Sequence, residues 1–397
     1  MNTGDTEGRL RRAEWLMRPE TQRLMALLDG AQARTRAVGG IVRDTLLDRP
    51  REAADVDLAT ELHPEEVIAR ASRAGVAAYP TGIDHGTVTL KLDSLVAEVT
   101  TLREDIETDG RHAVVKFGTS WTRDAARRDF TINALYAVMD GTLFDPLGGL
   151  DDLLARRVRF IGNPEQRIAE DRLRVFRFFR FSASHANERL DPEGYAACQA
   201  AAGTLGRLAA ERVGAEMRRM LALPRIGVTL TAMVRASVLD LPEAAVKLLH
   251  YYERRARRPE VAARLAILLT AVPPNTLQES WRLSNDDMRT ASAVLTVARL
   301  LGDFQIYEAA YRHPAALADG VDVAMVLSDW GEAGRAAVRE QLERLEVPRF
   351  PLRGDDLMAA GHRPGPALGA ELDRLERLWI EGGFTLDREA LLALSRR

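Results

Sequence analysis

Ala37-Val38-Gly39-Gly40-Ile41-Val42-Arg43-Asp44, followed closely by Asp55-Val56-Asp57-Leu58, is the stretch that sets the reading of the chain. The apolar pair Ala37-Val38 ends a short strand, Gly39-Gly40 lets the backbone approach a phosphate, and Val42 to Leu47 starts a helix. Arg43 then points a guanidinium at a triphosphate. On the next strand, side chains two apart project from one face, so the carboxylates of Asp55 and Asp57 lie close together. Two bare anions there repel. One or two Mg²⁺ ions between them make the pairing favourable, and an Asp pair beside a glycine-rich helix start can supply such an ion to a nucleoside triphosphate. Gly-Gly alone reads as a turn and Asp-x-Asp alone as a solvated strand edge. Their order is what points to nucleotide chemistry.

Composition sets outer limits. A length of 397 residues favours two or three domains, and 46% hydrophobic content is ample for packed cores. A single cysteine, Cys198, excludes an internal disulfide framework and a multi-cysteine zinc site, in keeping with a reducing, cytoplasmic setting and with no disulfide-linked partner. No apolar run reaches membrane-spanning length, and the first residues carry no signal-like segment. A net charge of −3 leaves any RNA contact to local clusters of arginine.

The first part of the chain mixes β-like runs with helices, and the remainder is helical in pattern. Residues 7–30 predict one amphipathic helix. Thr87 to Leu92 and Leu95 to Thr101, joined by Asp93-Ser94, predict a hairpin. Glu98 sits in its second strand and, if that strand neighbours Asp55 and Asp57, completes a three-carboxylate cluster; the alternative is an edge glutamate facing water. Ala126-Arg127-Arg128-Asp129-Phe130-Thr131-Ile132 predicts two guanidiniums at a helix start, with Arg128 placed for a phosphate or sugar and Asp129 either capping the helix or orienting an arginine. Phe144 to Leu153 closes the mixed region as a strand end, a glycine turn and a helix start.

The second strong feature is Glu170-Asp171-Arg172-Leu173-Arg174-Val175-Phe176-Arg177-Phe178-Phe179-Arg180. At roughly 100° per residue, Ile168, Val175, Phe176 and Phe179 share one side of a helix. Asp171, Arg174, Arg177 and Arg180 share the other. A solvated ridge usually alternates charge, whereas this one is an acid followed by cations alone, which suits a phosphate-bearing ligand.

The ordered set GGIVRD, DVD, EVTTLR, RRDFTINAL, DPLGGLDDL, EDRLRVFRFFRF and Glu211-Arg212-Val213-Gly214-Ala215-Glu216 resembles the class II tRNA nucleotidyltransferases, the CCA-adding enzymes, which are related to bacterial poly(A) polymerases. The resemblance is dense from about residue 35 to 223, and weaker near Gly354-Asp355-Asp356-Leu357-Met358. It implies an α+β head of the polymerase β-like type, with a small mixed sheet, followed by an all-α neck, body and tail. The corresponding boundaries are 1–153 for the catalytic head, 154–224 for the neck, 225–345 for the body and 346–397 for a tRNA-binding tail. It further implies Asp55 and Asp57 as Mg²⁺ ligands and catalytic residues, with Glu98 alongside. Gly40, Arg43 and Arg128 then bind the nucleotide, Asp171 and Arg174 select the base, and Arg177 and Arg180 add ligand contacts. The partners implied are CTP, ATP and the 3′ end and acceptor arm of tRNA. A poly(A) polymerase and a CC-only or A-only enzyme remain alternatives, as does a non-catalytic RNA-binding paralogue.

Chemistry agrees with the base-selecting pair. Cytosine and adenine both present an exocyclic amine beside a ring acceptor, which an Asp and an Arg can satisfy together. Uracil and guanine set a carbonyl against the Asp, and a good bidentate pair discriminates by about 1–3 kcal/mol. Glu104 to His112, polar and placed between hairpin and RRDF segment, predicts a loop that matches the family's flexible element for terminal A addition. His85 lacks a suitably spaced second histidine and is read as a loop-packing residue; Cys198 is read as a helix-packing one. Arg254-Arg255-Ala256-Arg257-Arg258, preceded by Tyr251-Tyr252-Glu253, is either an RNA-facing patch or a solvated helix end.

Overall fold

The computed structural model describes residues 3–49, 55–108, 113–256 and 258–396. Its chain divides into two compact units, one comprising residues 1–212 with 235–239 and the other residues 213–234 with 240–397. The first therefore holds the expected head together with most of the expected neck.

The first unit opens with three short helices, α1 (Thr3–Arg11), α2 (Glu14–Met17) and α3 (Pro19–Leu27), where the periodicity of residues 7–30 predicts one. Ala13 and Arg18 break it with ψ values of 121° and 134°. Arg18 has a plain cause, since the ring of Pro19 excludes the helical region for the residue before it. Next come β1 (Thr35–Val38), α4 (Gly40–Leu46), β2 (Asp55–Thr60), α5 (Pro64–Arg73), β3 (Ala77–Gly82), β4 (Thr87–Leu92) and β5 (Leu95–Thr101). The predicted hairpin is β4–β5, turning between Leu92 and Leu95. With β8 (Tyr136–Ala137) and β9 (Leu143–Phe144) these strands form a seven-stranded mixed sheet in the order β3-β4-β5-β2-β1-β8-β9. Its pairings are antiparallel except for β2 with β5.

Residues 104–108 depart from the loop expected over 104–112. β6 (Arg103–Thr108) and β7 (Ala113–Phe117) pair as a separate antiparallel ribbon, and residues 109–112 of the expected loop lie outside the described residues. α6 (Trp121–Ala126) follows, so Arg127-Arg128-Asp129 leaves the end of a helix instead of starting one. Beyond it Phe130 bridges to Phe160 and residues 131–133 make only a single 3-10 turn.

α7 (Gly149–Leu154), α8 (Pro164–Glu170), α9 (Leu173–His185), α10 (Pro192–Ala201) and the start of α11 (Ala210–Leu221) complete this unit. The apolar stripe of α9 is buried as expected, with Val175, Phe176 and Phe179 at most 4% exposed. Phe178 and Phe181 are buried too, and meet Phe130 at ring separations of 6.3 and 5.4 Å. Each fully buried ring contributes about 1.5–3 kcal/mol, so this aromatic cluster clamps α9 onto the Arg127–Phe130 segment. Asp171 is not on α9. It ends α8 in extended backbone at φ −146°, ψ 105°, and its carboxylate accepts from the backbone N–H of Leu173. A short acidic side chain here outcompetes the helix for that donor.

The second unit is helical throughout. It contains α12 (Gly227–Arg235), most of which falls here, α13 (Glu243–Glu253), α14 (Val261–Leu268), α15 (Pro274–Trp281), α16 (Asn285–Gly302), α17 (Ile306–Arg312), α18 (Leu317–Leu327) and α19 (Glu332–Arg344). Its last helices are α20 (Gly354–Ala359), α21 (Pro366–Glu381) and α22 (Arg388–Ala393), gathered on a core of Leu352, Leu357, Leu375, Trp379 and Leu391.

The basic run follows the end of α13, whose C-cap is Arg254. Of its leading aromatics Tyr252 is wholly buried, while Tyr251 carries the Arg255 guanidinium 3.4 Å from its ring centroid; Arg257 lies outside the described residues. Glu253 is buried as well. Its carboxylate accepts from the N–H groups of Ile226 and Gly227 and pairs with Arg264, which is 0% exposed and donates onward to the carbonyls of Leu221 and Pro224.

Candidate active site

Strand pairing assembles the carboxylates. In the parallel β2–β5 register Asp57 stands opposite Glu98 and Asp55 opposite Val96, so all three acids occupy one face of the sheet. All three are solvent-exposed, while their neighbours Val56, Leu58, Ala97 and Val99 are buried beneath them. Glu98 thus lies beside the Asp-x-Asp strand as the sequence reading required. Among the described residues, however, no three His, Cys, Asp or Glu side chains converge tightly enough to form a complete metal cage. What stands there is a set of hard carboxylate oxygens open to solvent. Mg²⁺ suits that arrangement, because it takes one or two carboxylates and completes its shell with water and substrate phosphates.

Above these acids lies a cavity of about 320 Å³. Asp57 and Glu98 form its acidic side, Arg103, Arg127 and Arg128 its basic side, and Gly39 and His85 reach its edge. Gly39 joins β1 to α4 at φ +74°, a backbone state that suits glycine, and a Cβ there would meet nothing within 4 Å. Its place is conformational, and it leaves bare backbone facing the cavity.

The arginine pair is held from behind by residues that the sequence reading missed. Asp124, 1% exposed, binds Arg127 at 2.7 Å and Arg128 at 3.2 Å, and accepts from the Tyr136 hydroxyl at 2.9 Å. Burial pushes the Asp124 carboxyl up, but the two guanidiniums outweigh it and hold the acid below its usual range. Arg167 on α8 donates to the carbonyls of both Arg127 and Arg128. The signal for Asp124 was in the sequence, as an acid three and four residues before two arginines on a helix. Nothing local pointed to Arg167.

Arg43 is tied to its neighbours in the fold. Its side chain is 8% exposed and donates to Asn133 Oδ1 at 2.6 Å and to both carboxylate oxygens of Asp44 at 2.9 and 3.3 Å. The guanidinium therefore braces α4 from inside the unit and does not line the cavity. Asn133 in turn donates to Asp129, whose second oxygen takes two bonds from Arg177, at 2.8 and 2.6 Å. Asp129 orients an arginine, one of its two expected roles, and also accepts from the N–H of Phe130. Arg180 stacks 4.2 Å from the Phe181 centroid, which Arg43 and Arg177 both flank at 5.2 Å.

Asp171 and Arg174 are held separately. The Asp171 carboxylate accepts from Arg212 at 2.8 Å and from Leu173 N at 3.1 Å. Arg174 donates to Glu170 at 2.7 Å and to the Arg167 carbonyl at 2.8 Å, with a longer contact to the carbonyl of Arg127 on the cavity wall. A carboxylate has about four acceptor sites and a guanidinium five donors, so each keeps capacity for a ligand edge.

Asp44 also meets His185, the last residue of α9, at 3.2 Å. Burial lowers the His185 pKa to about 4, against the pull of Asp44, and Arg43 adds to the depression. The unfolded imidazole protonates near 6.5 and the folded one only near 4, so acidification charges the unfolded chain first. Stability of the first unit should therefore decline as pH falls from 6.5 towards 4, by up to about 1.4 kcal/mol per pH unit. Urea melts across that window should show a shallower decline for His185→Gln than for the parent; parallel curves would disprove the linkage.

The comparisons with known proteins agree with this geometry. Residues 35–159 match the Poly A polymerase head domain family. The chain is 33% identical over 376 residues to the zebrafish (Danio rerio) CCA tRNA nucleotidyltransferase 1, mitochondrial, covering 91% of this chain and 87% of that protein. It is likewise 33% identical over 377 residues to the Levilactobacillus brevis CCA-adding enzyme, covering 90% and 92%. The crystal structure of the Bacillus stearothermophilus CCA-adding enzyme in complex with CTP superposes with a TM-score of 0.77 at 26% identity, covering 95% of this chain and 97% of that one. The chain belongs to the class II CCA-adding tRNA nucleotidyltransferases. No helix among the described residues is long and apolar enough to cross a membrane.

Proposed function

We propose that this nucleotidyltransferase adds C, C and A to the 3′ end of tRNA from CTP and ATP, with Asp55 and Asp57 holding Mg²⁺ and Glu98 beside them. The observation that carries the reading is the register of Asp57 against Glu98 beneath a cavity whose other wall is an anchored arginine pair. Bound Mg²⁺ would lower the pKa of the attacking 3′-hydroxyl and neutralise charge on the departing pyrophosphate. The chain's own residues do the rest. Gly39 and Gly40 bring backbone close to the phosphates, and Arg128 meets the nucleotide with its guanidinium fixed by Asp124 and Tyr136. Arg43, which holds Asp44 and Asn133 behind the glycine turn, contacts the nucleotide with Gly40, and Arg177 and Arg180 add ligand contacts beside the junction of α9 with the Arg127–Phe130 segment.

Asp171 and Arg174 read the base. Asp171→Ala should relax selection of CTP over UTP by roughly tenfold or more, the lower end of what a good bidentate pair supplies. Competition between the two nucleotides on a primer tRNA ending before the CCA measures it, and unchanged selectivity would remove Asp171 from the template role. The helical remainder, divided as neck (154–224), body (225–345) and tail (346–397), takes the acceptor arm of tRNA by shape and backbone charge. A cytoplasmic location suits the one cysteine, Cys198, which is buried with its thiol pushed well up by that burial.

An end-labelled extension assay on tRNAs lacking CCA, ending in C, ending in CC, and complete, with CTP and ATP separately and together, tests the whole reading. Ordered addition stopping at the terminal A is expected. A tracts on any RNA would make it a poly(A) polymerase, and arrest after the second C a CC-adding enzyme.

A further inference from the structure

The sequence reading gave His85 to loop packing, and the structure places it elsewhere. Its side chain is exposed and lines the cavity together with Asp57, Glu98 and Arg103. The ring makes no hydrogen bond, ion pair or aromatic contact with the described residues. Its backbone, by contrast, is tied at several points. Residues Ile83–His85 form a 3-10 turn, Gly86 follows at φ +78°, and the Gly86 carbonyl accepts from Thr101 N at 2.9 Å. Arg103 donates to the His85 carbonyl. At φ +78° the Gly86 position favours glycine, and a Cβ there would sit 2.6 Å from Phe117 Cε1 and force that ring to shift. A loop fixed this closely, lining the cleft with a polar ring that has no partner among the described residues, is built to present that ring.

The register says what it meets. Thr89 pairs with Glu98 and Thr87 with Thr100, so His85 continues β4 beyond the acids towards the C-terminal end of β5. Four residues separate His85 from Thr89, at most about 13 Å at the 3.3 Å rise of a strand, and the 3-10 turn shortens that span across a cavity that a triphosphate chain can occupy. An imidazole has at least one N–H donor in either protonation state, and phosphate oxygens are strong acceptors.

We infer that His85 donates a hydrogen bond to the β,γ-phosphate portion of the incoming nucleotide, which leaves as pyrophosphate. This rests on the reading of the cleft as the nucleotide site. His85 is then a nucleotide-binding residue shared by both substrates and blind to the base.

Steady-state extension of primer tRNA by the full chain tests it. His85→Ala should raise the KM for CTP and for ATP by about tenfold each, and the inhibition constant of inorganic pyrophosphate by a similar factor, with selection of CTP over UTP unchanged. His85→Gln, which keeps an N–H donor, should recover part of both losses and carries the test if the alanine variant folds poorly. Unaltered KM and pyrophosphate inhibition in both variants would overturn the assignment, as would a change confined to base selection. An inactive parent chain would instead defeat the nucleotide-site reading itself, which keeps the two failures apart.

Discussion

Asp57→Asn extends no primer tRNA within the range of a quantitative assay, a loss of at least a thousandfold, while its affinity for tRNA stays within about twofold of the parent. The first half follows from the site. Asp57 is the acid paired with Glu98 and the one of the Asp-x-Asp pair on the cavity wall. On the proposed metal-holding role, the change removes the negative charge and one carboxylate oxygen where the reacting phosphate and its counter-charge would meet, and a thousandfold corresponds to about 4 kcal/mol of transition-state stabilisation. The second half follows from exposure. Asp57 lies at the surface with a buried β2 backing of Val56 and Leu58, so its replacement leaves the sheet intact. Single-turnover extension and filter binding on the same preparation measure the two quantities. A fall in tRNA affinity as large as the fall in rate would show that Asp57 serves RNA binding or folding instead.

Arg264→Met destabilises the second unit by about 3–5 kcal/mol, the cost of leaving one partner of a buried ion pair without the other. The side chains of Arg264 and Glu253 are 0% and 3% exposed, and the arginine also holds the carbonyls of Leu221 and Pro224. Methionine fills much of the volume but supplies no donor, so a carboxylate and two carbonyls lose partners together. The double variant Glu253→Gln, Arg264→Met should lie between this variant and the parent, because it removes the stranded charge while leaving an acceptor for the N–H groups of Ile226 and Gly227. Urea midpoints report both changes. A loss under about 1 kcal/mol for Arg264→Met would mean that water reaches the site and replaces the guanidinium.

What was legible in the sequence is what local pattern encodes. A strand ending in two glycines, an alternating Asp-x-Asp strand and a hairpin around Asp93-Ser94 each follow from period and turn chemistry, and each stands where expected. The buried stripe of α9 was equally readable. What local pattern left unread shares a cause, which is competition settled at a distance. Arg43 would ordinarily face solvent, but Asn133, far along the chain, offers its amide oxygen to the guanidinium inside the unit. Asp171 fits the α9 helical period, yet its own carboxylate captures Leu173 N and ends the helix before it. Arg127-Arg128-Asp129 resembles a helix start because an apolar run follows, but that run is consumed by the Phe130–Phe160 bridge and by packing against Phe178 and Phe181. Of the supporting partners, Tyr136 and Arg167 carry no local signal, and Asp124 shows only as an acid three and four residues before two arginines.

The single parallel pairing in the sheet has a kinetic meaning. Antiparallel neighbours such as β4 and β5 close across a tight turn, but β2 meets β5 only by closing a loop of chain that contains α5, β3 and β4. Closures of that kind are entropically late and slow. Asp57 and Glu98 are brought opposite each other by that closure, so a nascent or refolding chain acquires its local hairpin and helices before its acidic face. Catalytic competence is a property of the finished topology, and its return on refolding cannot precede this long-range pairing.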